Sequence, residues 1–192
     1  MAALRKYQWV QTMTVAVDGA VKQTSISSCK YSASSPKPVC TEISSTPAEQ
    51  PSGGPIKKKK MTEAIAEMKA YMGSVKQLVG LYVPPQSAKI DASMQKGGVS
   101  TAPNPSAGTV SLVISNYELP GDKYTIVVGM TDSQLRNVNI DSYLNEPSSV
   151  VALAVTYAAL KDGTHYAEKT VLNATAKKIV VTITTTNYSV AM

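Results

Sequence analysis

The sequence predicts a mainly β protein with one central amphipathic helix: an N-terminal β-hairpin arm, the helix, and then a small β-sandwich. Three observations predict it. Apolar and polar residues alternate over Tyr7 to Val17 and again over much of residues 109–192, the period of a strand with one buried face. Between these stretches, Lys57 to Val83 carries a helical period instead. The palette is that of strands, because Thr, Ser, Val and Ala abound and ten Tyr stand against one Trp and no Phe.

The arm comes first. Tyr7, Trp9, Gln11, Met13, Val15 and Val17 fall on one side of the first strand, with Gln8, Val10, Thr12, Thr14 and Ala16 on the other. Asp18-Gly19 closes a two-residue hairpin of the I′ kind and leads into Ala20 to Ile26. A lone hairpin is marginal in water, so it must add to another sheet or another chain. Tyr7 to Val17 has neither proline nor charge, and left open it would be an aggregation-prone edge. The expected cover is a neighbouring subunit, reached through the Pro/Ser/Gly-rich spacers at Pro36 to Gly54 and Gln86 to Gly108. Cys29 and Cys40 flank a Ser/Pro-rich loop, Lys30 to Val39. With no CxxC and one distant His165, a zinc site lacks ligands. Free thiols are expected of a chain made in a cytoplasm, and a disulfide across the loop is the alternative.

The helix is read from Met61, Ile65, Met68, Met72, Val75, Val79 and Tyr82, spaced so that all lie on one face, with Ala64, Tyr71 and Leu78 widening the stripe. A stripe this wide suits a helix docked on its own domain. The same spacing could serve an intermolecular seam, although Gly73 and Gly80 weaken it. Thr62 is the expected N-cap, with Glu63 in the first turn, and Pro84-Pro85 ends the helix. Lys57, Lys58, Lys59 and Lys60 sit where the helix dipole disfavours cations, so helix stability does not account for them. They follow Pro51-Ser-Gly-Gly-Pro55, read as a flexible joint, and are expected to project into solvent or onto an acidic partner.

These features divide the chain into a basic arm (1–56), a lysine run and helix (57–85), a linker (86–108) and a β domain (109–192). In the last, strands are expected at Thr109 to Ser115, Lys123 to Met130, Val150 to Leu160, Thr164 to Asn173 and Lys178 to Val190, with a shorter one at Val138 to Ile140. Short strands with a turn every 8–12 residues fit a small immunoglobulin-like β-sandwich; a jelly-roll fragment or strand-swapped barrel is the alternative.

Charge narrows the function. Residues 1–60 hold nine Lys and Arg against Asp18, Glu42 and Glu49, which accounts for the net +6, and the remainder is neutral. A basic arm on a neutral body meets phosphate or an acidic neighbour. No run reaches the length of a membrane span, and Met1-Ala-Ala-Leu-Arg-Lys is no signal segment, so synthesis in the cytoplasm without a leader is expected. His165 has no partner at motif spacing, Asp122, Asp132, Asp141 and Glu146 are scattered, and Gly53-Gly54-Pro55-Ile56-Lys57 is no phosphate loop. The expectation is a non-enzymatic structural or assembly protein without cofactor or metal. A virion component (phage capsid, decoration, fibre or tail) that forms a homo-oligomer or larger assembly fits best. A nucleic-acid-associated architectural protein using the basic arm and a surface adhesion or binding module are the alternatives.

Overall fold

The computed structural model describes residues 2–32, 35, 37–46 and 54–191. Tyr7–Val17 (β1) and Ala20–Tyr31 (β2) form the expected hairpin, and Asp18 and Gly19 take the positive φ values, 52° and 78°, that its turn needs. β2 continues past Ile26, and Pro38–Ser45 (β3) returns beside it. After β3 come two helices, Pro55–Tyr82 (α1) and Ser87–Gln95 (α2), and then Val99–Asn104 (β4). Thr109–Ser115 (β5), Lys123–Gly129 (β6), Leu135–Tyr143 (β7), Val150–Ala159 (β8), His165–Ala174 (β9) and Ile179–Val190 (β10) complete the chain. The joint expected at Pro51 to Pro55 lies mostly outside the described residues, as do parts of the Ser/Pro-rich loop.

Among the described residues the ten strands make one antiparallel sheet, ordered β3-β2-β1-β10-β9-β8-β7-β6-β5-β4. Two expectations fall with this order. The hairpin does not pair outside its own chain, because β1 runs alongside β10 from Tyr7 opposite Val190 to Val17 opposite Ile179. Both strands alternate and lack proline, so each satisfies the other's backbone groups. Nor is there an immunoglobulin-like sandwich of two sheets. Ile114, Tyr124, Val138, Ile140, Val151, Leu153, Val155 and Ile179 occupy one face of one sheet, and Val75, Leu78 and Tyr82 of α1 pack on them. Alternation reports a buried face, but not whether a helix or a second sheet buries it.

The remaining corrections are local. Cys29 and Cys40 are cross-strand neighbours whose Cα atoms lie 4.0 Å apart, and they form a disulfide rather than free thiols. A strand occupies what composition read as loop, and pairing alone brings the two Cβ atoms together. The helix begins with Gly54 as N-cap and Pro55 inside the first turn; the Thr62 hydroxyl donates instead to Lys58 O at 2.9 Å. Proline's fixed φ suits the first helical position, and lysine is a good helix former, so the run joins the helix. A second helix, α2, and β4 occupy the expected linker. Gly97 turns the chain at φ 69°, and a Cβ on Gly98 would stand 3.1 Å from Ser115 O, so two glycines carry α2 into the sheet.

The C-terminal end of α1 is pinned through polar contacts. The buried Asp122 carboxylate accepts from the backbone N–H groups of Tyr117, Glu118 and Leu119 and from the Tyr82 hydroxyl. With its proton committed there, Tyr82 Oη accepts from Ser142 Oγ at 2.8 Å. Tyr82, Tyr117 and Tyr124 stack with centroids 5.1 to 6.4 Å apart.

Cys40→Ser should lower stability by about 2–3 kcal/mol in denaturant melts, as the entropy of a short closed loop implies. Reducing agent should do the same to the parent and nothing further to the variant. Burial raises the phenol pKa of Tyr82 above its ordinary value and that of Tyr124 to about 12. Both folded values exceed the unfolded value of 10.0. Their contribution is therefore complete below about pH 10 and is lost as pH rises from there through the folded values. Circular dichroism against pH should show alkaline unfolding in that window, displaced upward by Tyr124→Phe.

Candidate docking surface

A straight helix laid across a twisted sheet stays in contact over only part of its length, because each strand is turned by roughly 20° from the last. The stripe on α1 divides accordingly. Val75, Leu78 and Tyr82 are buried, and Met68, Tyr71, Met72 and Val79 pack partly buried against the core. Met61 is half-buried, and Ile65 is 38% exposed. Beneath this N-terminal half lies an open cleft of about 410 Å³. Val15 and Val17 of β1 form its floor, Met61, Ile65, Met68 and Met72 its roof, and Lys22 and Lys69 stand at its mouth.

Lys57 to Lys60 form the first turns of α1, exposed, immediately before Met61. Among the described residues none of the four makes an ion pair, and no acidic residue occupies the helix's first turn. Glu67, the acidic side chain beside the cleft's Met68, is bonded to Lys177 in the turn between β9 and β10, which lowers its carboxyl pKa. Lys57 and Lys58, one turn before Met61, continue the face that bears Met61, Ile65, Met68 and Met72, whereas Lys59 and Lys60 turn away from it. Val75 and Val79 lie farther along α1 and serve the core.

Chemistry of other kinds does not gather. Asp122 is fully used in its hydrogen bonds, and Asp132 is held by Arg136 and the backbone of Gln134, which keep its pKa low. The Nδ1 atom of His165 is buried without a partner. Among the described residues no group of three His, Cys, Asp or Glu could hold a metal, and no helix is long and apolar enough to cross a membrane. No family model matches the chain, and no curated protein is similar to it in sequence.

Sequence reasoning missed an aromatic group formed by Tyr7, Trp9, Tyr31, Tyr166 and Tyr188. The alternation of β1 put Tyr7 and Trp9 on one side, which was the available signal. Their partners from β9 and β10 arrive only through the β1–β10 pairing.

Leu78→Ala should cost about 2–5 kcal/mol and Ile65→Ala no more than about 0.5 kcal/mol in urea unfolding. Equal losses would mean that the cleft is closed core and offers nothing to a partner.

Proposed function

We propose that the chain is a non-enzymatic assembly protein, of the kind that builds a virion. In this reading it docks an apolar, acidic segment of a neighbouring subunit in the cleft under α1. The observation that carries it is the methionine-roofed cleft, with Lys22 and Lys69 at its mouth and Lys57 and Lys58 one turn before Met61 on the same helix face. Methionine side chains are flexible and polarizable and adapt to a docking segment. Lysines at the mouth speed the encounter with acidic groups and select for them. A nucleic-acid backbone would use the lysines but gain nothing from the apolar roof, so a protein segment uses more of the surface. The Cys29–Cys40 disulfide adds support, since such bonds persist outside a reducing interior, as on a particle surface. The hairpin adds no strand to a neighbour in this docking, because β10 already pairs with β1; it supplies the floor of the cleft instead.

Light scattering over a concentration series tests the proposal. The parent should gain mass with concentration, Ile65→Asp should remain folded and monomeric, and changing Lys57 to Lys60 to glutamine should slow assembly at low salt. A parent that stays monomeric throughout overturns it. Mass gained only with duplex DNA, with a salt slope that falls by about 0.9 log units per lysine removed, would assign the surface to nucleic acid instead.

A further inference from the structure

Five aromatic rings meet at the opposite end of β1 from the α1 cleft, about 25 Å along the strand. Tyr188 is their hub. Its ring stacks on Trp9 at 5.6 Å, meets Tyr166 at 4.4 Å and Tyr7 edge-on at 6.3 Å, while Tyr31 closes on Trp9 at 5.7 Å. An irregularity places it there. Asn187 takes φ 55°, a left-handed conformation asparagine tolerates, where the β1–β10 register shifts between Gln8 and Val10.

A patch of core would close on itself. Here Tyr166 and Tyr188 instead form a wall shared by two hollows of about 240 and 610 Å³. Gln11 and Thr170 line the smaller one, and among the described residues neither side chain has a hydrogen-bond partner. Asp162 and Glu168 line the larger. Asp162 accepts from Tyr7 Oη at 2.7 Å and is paired with Lys6 Nζ at 2.8 Å, contacts that hold its pKa well below the usual carboxylate range and keep it ionised.

This set of groups selects its ligand. A phosphate chain would meet two carboxylates against one lining lysine, Lys161, with Lys6 already committed to Asp162. A cation would be repelled by two already in place beside the wall, since Arg5 lies 5.4 Å from the Tyr31 centroid and Lys6 lies 5.3 Å from that of Tyr7, whereas among the described residues the Tyr166 and Tyr188 rings hold none. A neutral sugar ring has an apolar C–H face for an aromatic wall and hydroxyls that can both donate to carboxylates and bond a carboxamide and a threonine. We propose that this aromatic pocket binds a neutral glycan, independently of the docking surface under α1.

Trp9 is the chain's one tryptophan, so its emission reads the pocket directly. Full-length protein titrated with short cello-, malto-, chito- and manno-oligosaccharides should give a saturable change with at least one series. Gln11→Ala should weaken that binding about tenfold, the loss of one hydrogen bond in a desolvated site, with melting temperature unchanged. Tyr166→Ala should abolish it, and Gln11→Ala keeps the result readable if that variant does not fold. Silence to every series overturns the proposal, and so does binding that Gln11→Ala leaves intact. A response confined to single-stranded oligothymidylate also overturns it and makes the patch a base-stacking surface.

Discussion

The chain leaves the sheet at one edge, β3, and re-enters at the other, β4, so whatever joins them must cross the whole width. Nine strand spacings amount to about 43 Å, and two helices share them: the 28 residues of α1 rise about 42 Å, and α2 then packs beside β4 and β5. A crossing of that order explains a helix more than twice the usual length. Its contacts record the crossing. Met61 and Ile65 stand over the hairpin, Glu67 reaches Lys177 between β9 and β10, and Tyr82 reaches Ser142 of β7 and Asp122 beside β6. Because the far end is fixed by a buried carboxylate and the near end by no comparable bond among the described residues, the crossing produces a tight half and an open half. The cleft is a consequence of that asymmetry.

Pairing of β1 with β10 is the second organising fact. It joins both ends of the chain in the middle of the sheet and leaves the outer edges to β3 and β4. Both are guarded against pairing with strangers. β4 carries Pro103, and β3 starts at Pro38, is bulged opposite Ile26 and Ser27 and is stapled to β2 by the disulfide. The same pairing assembles the aromatic pocket from β1, β2, β9 and β10. Neither pocket nor sheet closure has a local cause.

What was legible in the sequence follows from that distinction. Asp18-Gly19 makes the hairpin turn through its own backbone preference, Pro84 stops α1 at Tyr82, and Thr109 to Ser115 is a strand, all set by residues within a few positions. The lysine run beside Met61 was equally visible, since helical spacing alone puts them on consecutive turns. The partner of β1 was not, because pairing β1 with β10 rests on contacts more than 160 residues apart in sequence. β3 was hidden for another reason. Its side chains are all exposed, so no hydrophobic period marks it, and backbone bonds and Cys40 hold it in place.

One contradiction was nonetheless readable. A stripe of apolar residues from Met61 to Tyr82 needs an apolar surface beneath it, and a closed β-sandwich turns its apolar faces toward each other and has none to offer. Docked helix and sandwich could not both hold. Counting faces instead of strands favours one sheet whose apolar face α1 covers, while the reverse face bears short side chains such as Thr12, Thr182, Ala152, Ala154, Asn139 and Asn173 that water can meet. The same count reaches both the aromatic pocket and the cleft. Gln11 and Thr170 sit on the covered face where the core gives way to polar groups, and Ile65 extends the stripe beyond the residues α1 buries. The helix carries more apolar surface than its own sheet takes up, and that surplus lies next to the four lysines.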